Sequence, residues 1–357
     1  MATPAVTKIS NGSDERTGRT LAILGCGKAH LASFIQILDL KAHMGICTGN
    51  MGTAILLGVL SAQTSQSQAD AAHLLPARFI ACVRRTESAD RIKLTLSSHA
   101  PGSTVRVYTN NNVDAVGEAD IVLLACQPHL YKSVFEEAGM VDALKGKLII
   151  SVLAGVTSDE IESHLHQAAF ANPKPGEDDA LAAHSDLFPV VRVMPNIASA
   201  VQASSTAVLE TRRPQQARSL AEHFEATAHA IFSCVGTVFA TRPETFAICT
   251  TLNGSTPAFF AMVIDGLVDG AVALGLPHTE ATQMAAATMR GTAELVISGK
   301  RTQDLRYEVA CPGGSTVQGS RVLEEASTRA VWMDAMRVAT SEQNGLGEGL
   351  KVQRNRG

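Results

Sequence analysis

The chain has 357 residues, 45% of them apolar, 18% charged and only 4% aromatic, with a formal net charge of −4. There is no basic surplus to neutralise phosphates, and one Trp with three Tyr offers no stacking platform for bases, so nucleic acid is excluded as the main partner. The length and apolar content suffice for two domains with buried cores.

Residues 1–19 are polar, lack the apolar run of a signal peptide, and carry Asp14 and Glu15 against a mitochondrial presequence; they are expected to be a disordered leader. The first strand is expected at 20–24, ending in Gly25-Cys26-Gly27. Further near-continuous apolar strands are expected at 78–83 (followed by Arg84-Arg85), 104–108, 121–126 (closed by Gln127-Pro128), 147–152 (ending at Ala154-Gly155) and 190–194 (ending at Pro195-Asn196). Apolar strands alternating with helical stretches predict an α/β fold, a Rossmann-like, doubly wound, mainly parallel sheet whose functional loops follow the carboxyl ends of the strands. Residues 62–71 and 173–185 are polar and read as surface insertions.

From 243 the strand pattern stops, and 243–340 reads as an all-helical domain following a dinucleotide-binding domain at 20–242; 341–357 is expected to be a flexible tail. The longest apolar run, 257–276, contains Asp265, Asp269 and several glycines, which fits a helix buried at a domain or subunit interface better than a membrane span. Seven cysteines without a Cys-x-x-Cys pair, mostly inside apolar runs, point to a reducing compartment without disulfides or structural zinc. The eleven histidines show no ligand spacing, so no metal is expected and the chain is read as a soluble, cytoplasmic protein.

Gly25 and Gly27 after an apolar strand begin a dinucleotide-binding turn, where glycine lets the backbone approach a pyrophosphate. Arg84 and Arg85 end the second strand where an acidic residue would bind a ribose hydroxyl; two guanidinium groups there suit the 2′-phosphate of NADPH, with NADH the alternative cofactor and a solvated charge pair the bland reading. The third glycine is absent at its usual offset. Removing the 22 residues 28–49 leaves Gly25-Cys26-Gly27-Asn50-Met51-Gly52, an unbroken turn. Codons for the two ends permit standard splice signals, so 28–49 is expected to be a translated, unspliced intron, or else an insertion that loops out.

With that segment set aside, residues 21–340 resemble pyrroline-5-carboxylate reductase of the fungal type. The resemblance rests on Gly25-Cys26-Gly27…Asn50-Met51-Gly52, Ala119–Pro128, Ser151-Val152-Leu153-Ala154-Gly155-Val156-Thr157, Val191-Arg192-Val193-Met194-Pro195-Asn196, Leu252-Asn253-Gly254-Ser255-Thr256-Pro257-Ala258, Ala273-Leu274-Gly275-Leu276-Pro277 and Cys311-Pro312-Gly313-Gly314-Ser315-Thr316. It implies a Rossmann-like domain, a helical dimerisation domain, a homo-oligomer formed through the C-terminal helices, and reduction of a cyclic-imine carboxylate by NAD(P)H. Departures from the family pattern, Ile197-Ala198 for Thr-Pro and Asn253-Gly254-Ser255-Thr256-Pro257 for Ser-Gly-Ser-Gly-Pro, leave the identity of the imine open. The alternatives are a reductase of another cyclic imine and a catalytically impaired form whose cofactor loop is interrupted.

Hydride transfer to an imine needs positioning more than ionisable catalysts. Gly313, Gly314, Ser315 and Thr316 are expected to open a helix whose N–H groups cradle the substrate carboxylate, with Thr316, by resemblance, the catalytic or orienting hydroxyl; plain helix capping is the alternative. Ser255 is a second substrate candidate, equally well read as a cap. Asn50 and Met51 at the helix start, with Cys126, Pro128, Ala154, Gly155 and Asn196 at strand ends, are expected along the cofactor.

Overall fold

The computed structural model describes residues 19–24, 49–64, 73–100, 102–170, 187–210 and 218–345. The expectations for the leader, for Gly25 and Gly27, for nearly all of segment 28–49, for 173–185 and for the end of the tail lie outside the described residues.

Eight strands form one sheet in the order β3-β2-β1-β4-β5-β6-β7-β8. They are β1 (Thr20–Leu24), β2 (Arg78–Val83), β3 (Val105–Thr109), β4 (Ile121–Leu124), β5 (Leu148–Ser151), β6 (Val190–Met194), β7 (Ser204–Leu209) and β8 (Gly236–Thr241). The first six are parallel, with Leu21 of β1 opposite Phe79 on one side and Ile121 on the other. Parallel neighbours require crossovers, and helices cover both faces. Along each strand, alternate residues feed two cores. Leu21, Ile23, Ala81, Leu123 and Ile150 face α1 (Gly49–Thr64), α2 (Thr86–His99) and, farther along the sheet, α7 (Arg218–Ser233). Ala22, Leu24, Ile80, Val122 and Ile149 face the opposite layer, built from α3 (Asn112–Gly117), α4 (Tyr131–Phe135), α5 (Met140–Leu144) and α6 (Ser158–Ala169). A strand buried on both faces has no polar alternation, which is why these strands read as near-continuous apolar runs, broken in β3 and β6 only by the half-buried Arg106 and Arg192 among the inner positions.

The last two strands lie between 194 and 243, where the sequence reading gave no strand bounds. β7 runs antiparallel to β6 and pairs in parallel with β8. Its start, Ser204-Ser205-Thr206, is polar, yet Ser204 and Thr206 are buried. Their hydroxyls satisfy one another at 2.9 Å, and Ser204 Oγ also accepts from the Asn196 N–H at 3.0 Å. Mutual pairing offsets the desolvation cost of burying these hydroxyls in a strand. At Gly236 a Cβ atom would lie 2.1 Å from the Ser204 carbonyl oxygen, so only glycine lets β8 lie this close to β7.

Two boundaries also shift. Helix α1 continues to Thr64, into the segment expected as a surface insertion, because Val59 and Leu60 carry its buried face onward. The last helix continues to Gly345, five residues into the segment expected as a tail.

The described residues divide into two compact units, the first comprising those up to Gly254 together with those from Gln343 on, and the second comprising Ser255–Glu342. Helix α8 (Pro243–Gly254) closes the first unit, laying Phe246 on Met194 and Ala207. The second unit holds α9 (Thr256–Ala273), α10 (His278–Ile297), α11 (Thr302–Val309), α12 (Ser315–Glu325) and most of α13 (Thr328–Gly345). Within it α9 packs along α10, the Phe259 and Trp332 rings lie 6.3 Å apart, and Glu324 pairs with Arg306 and Arg329. Few of its side chains are buried, Val268 and Ala281 among them, whereas Phe260, Met262, Leu267, Met284 and Ile297 are exposed. Residues 243–273 form one stretch long and apolar enough, by length and composition, to cross a membrane, but the helix is interrupted at Ser255.

Candidate functional site

Because β1 to β6 run the same way, the loops after them gather on one edge of the sheet. Cys126 follows β4, half-buried, and Pro128 starts a 3-10 turn, Pro128–Leu130, that needs no N–H at that position. Burial pushes the Cys126 thiol up to about 11, so it stays protonated at neutral pH and contributes an apolar wall rather than a nucleophile. After β5, Ala154 and Gly155 form the turn into α6. That turn is fixed by a capping box: Thr157 Oγ1 accepts from Glu160 N–H at 3.1 Å, while Glu160 Oε2 accepts from Thr157 N–H at 2.7 Å.

After β6, Asn196 caps the 3-10 turn Ile197–Val201, its Oδ1 accepting from the Ala198 N–H at 3.0 Å. Asn196 is buried, and with Oδ1 engaged its amide NH2 is the group left to meet a ligand acceptor. The same 3-10 turn packs against α1, whose second and third residues are Asn50 and Met51; Met51 is half-buried against the core. These candidates therefore share one edge, as the sequence reading expected of loops after parallel strands.

After β2, Arg84 and Arg85 line an open cavity of about 710 Å³ together with Thr86, Glu87, Ser88 and Arg91. Arg85 is the N-cap of α2 in an extended conformation, and no side chain caps the helix. The Ser88 N–H donates to the Arg85 carbonyl at 3.2 Å, and the leading N–H groups of Thr86 and Glu87 are available to an anion beside the guanidinium groups. The charge, the donors and the size suit a phosphate monoester attached to a nucleoside.

In the helical unit, Cys311-Pro312-Gly313-Gly314 makes a tight corner closed by the Gly314 N–H to the Cys311 carbonyl at 2.9 Å. Gly313 has φ +71°, a conformation that a side chain would strain. Helix α12 begins at Ser315 with Gly314 as its N-cap and no side-chain cap. Ser315 and Thr316 are thus inside the first turn and do not cap it, so their hydroxyls and the leading N–H groups are left open. Ser255 likewise precedes α9 without a side-chain cap bond. Asp265 and Asp269 are exposed on α9.

Sequence reasoning missed three features. Arg91 joins the arginine cavity from α2. Arg192 of β6 lies largely buried over the Phe246 ring, 4.7 Å from its centroid, with Nε lacking a partner among the described residues; burial lowers its pKa. Asn253 at the end of α8 accepts from Ser205 Oγ at 2.8 Å. Only the last carries a signal in the sequence, as the asparagine standing where the family pattern has serine.

A family profile described as pyrroline-5-carboxylate reductase dimerisation matches residues 243–346, and one described as NADP oxidoreductase, coenzyme F420-dependent, matches 45–155. A Δ1-pyrroline-5-carboxylate reductase of Curvularia clavata is 44% identical, covering 93% of this chain and 98% of that protein. The solved structure of a pyrroline-5-carboxylate reductase from Coxiella burnetii superposes with a TM-score of 0.64 at 24% identity, over 93% of this chain and 99% of the other. The Plasmodium falciparum pyrroline carboxylate reductase with NADP bound gives 0.63 at 18% identity, over 93% and 98%. The two structures share the fold.

Proposed function

The chain belongs to the pyrroline-5-carboxylate reductase family, and we propose that it reduces 1-pyrroline-5-carboxylate to L-proline with hydride from NADPH. The observation that carries this reading is similarity to a reductase over nearly the whole of both chains, spanning the sheet unit and the helical unit alike. NADPH, when bound, supplies the hydride that adds to the imine carbon. Arg84 and Arg85 hold its 2′-phosphate, and the Pro128, Ala154-Gly155 and Asn196 loops lie along its nicotinamide end.

The open first turn of α12 receives the substrate carboxylate on backbone N–H groups. The Thr316 hydroxyl bonds the ring nitrogen, as donor to a neutral imine or acceptor from an iminium, and the product nitrogen carries one proton more than the neutral imine. Thr316→Ala is expected to lower kcat/KM for the imine by about tenfold or more while leaving the NADPH Kd unchanged. Steady-state rates with titrated nucleotide check this; an unchanged kcat/KM removes Thr316 from the site.

The assembly proposed is a homo-oligomer formed through α9 to α13, supported by the exposed apolar side chains there. A second reading, reduction of a different cyclic imine, is favoured by Asn253 in its bond to Ser205 and by Ile197, exposed on the 3-10 turn after β6. Purified protein assayed with NADPH and a panel of five- and six-membered cyclic imino acids separates the two, since turnover only with another imine selects the second. The insertion bears on a third reading, an impaired cofactor loop. The NADP-oxidoreductase match starts at residue 45, past most of segment 28–49, and α1 starts at its far end. Deleting 28–49 is expected to tighten NADPH binding; equal tight binding by both forms shows the segment to be harmless.

A further inference from the structure

The cavity beside β2 holds a third arginine that the cofactor reading has not used. Arg91 lies on the second turn of α2, six residues beyond Arg85, and in a helix long side chains lean back toward the N-terminus. Its Nη2 donates to Ser88 Oγ at 3.2 Å, which holds the guanidinium against the first turn, and both residues line the cavity with Arg84 and Arg85. Ser88 is buried while the three arginines are exposed, so the serine is a fixed point and the arginines are the arms. Arg84 and Arg85 are consecutive on the bend that leads from β2 into α2, and both line the cavity. Arg91 comes from the helix, a separate element, and brings a third cation to the same cavity.

Resting on the reading of this cavity as the NADPH end, we propose that Arg91, positioned by Ser88, is a specificity-determining residue that selects the 2′-phosphate over the 2′-hydroxyl of the adenosine ribose. A guanidinium paired with a phosphate dianion makes charge-assisted bonds that a ribose hydroxyl cannot replace. Its contribution falls on NADPH and leaves NADH untouched. Glu87, the one acidic side chain lining the cavity, works against this discrimination by repelling a dianion, so the arginines must outweigh it.

The test is calorimetric titration of the full chain with adenosine 2′-monophosphate and, separately, adenosine 5′-monophosphate, neither of which requires an imine or turnover. Arg91→Gln is expected to weaken the 2′-phosphate nucleotide about tenfold, the equivalent of about 1.4 kcal/mol, with the 5′-nucleotide unchanged. Arg91→Lys restores part of the loss, and Ser88→Ala gives a smaller loss confined to the 2′-phosphate. In kinetics, Arg91→Gln raises KM for NADPH with kcat and the NADH parameters unaltered. Equal weakening of both nucleotides, or no change with the 2′-phosphate, overturns the assignment of Arg91. Failure of the wild-type chain to bind adenosine 2′-monophosphate at all instead overturns the cofactor reading of the cavity.

Discussion

The sheet unit and the helical unit bury their apolar side chains in opposite ways. In the first, Leu21, Ile23, Ile80, Leu123 and Ile150 have no exposed surface, and two layers of helices enclose them. In the second, Met262 is 67% exposed and Ile297 77%, and α11 and α12 bury no residue at all. Burial of apolar surface stabilises by roughly 25 cal/mol per Å², so a single copy of the helical unit forgoes much of the stabilisation its sequence offers. Large apolar side chains left exposed in such number are what an association face presents. The contrast teaches that one unit carries its own core while the other leaves most of its large apolar side chains exposed, the surface that the proposed homo-oligomer requires.

The sharpest way to break this contrast is Leu267→Glu on α9. On an ordinary exposed position such a change alters stability by about 0.5 kcal/mol or less. Here it is expected to dissociate the oligomer, read as a fall in mass by light scattering while the sheet unit's denaturation transition persists. Retention of the assembled mass would show that this face is not covered by another copy. Next in size is Gly236→Ala, whose Cβ meets the Ser204 carbonyl; it is expected to remove about 3 kcal/mol from the sheet unit. Chemical denaturation checks this, and the assembly face should be unaffected at concentrations where the chain is folded. The smallest effect comes from His229 on α7, whose pKa burial lowers. Its unfolded form takes up a proton more readily, so the neutral ring's contribution is present above about pH 6.5 and lost as the pH falls below it. His229→Gln should flatten the acid limb of the stability profile between about pH 7 and 5, measured by denaturation midpoints.

The six parallel strands were legible because double burial leaves an unmistakable apolar run, and their loops were legible because glycine, proline and asparagine punctuate the ends. β7 was not, since its hydroxyls cancel one another only once Asn196 and Thr206 are in place beside Ser204. On the site, Ser315 and Thr316 belong to residue types that serve both as caps and inside first turns, and only the backbone of Gly314 decides between the two. Arg91 was hidden because an arginine on a helix surface reads as a solvated charge. The Ser205–Asn253 bond joins positions 48 apart through tertiary structure that no local pattern announces.

The reversal at β7 has a geometric consequence for how the first unit ends. β7 and β8 travel away from the edge that gathers Cys126, Gly155 and Asn196, so the chain leaves β8 on the far side. Helix α8 then makes the return trip: Phe246 lies under Arg192, and two turns later Asn253 reaches Ser205 at the beginning of β7. Its 12 residues rise about 18 Å, which offsets the roughly 20 Å travelled by a six-residue strand. The stride out and the stride back thus cancel, and Gly254 arrives on the edge from which the polypeptide had departed.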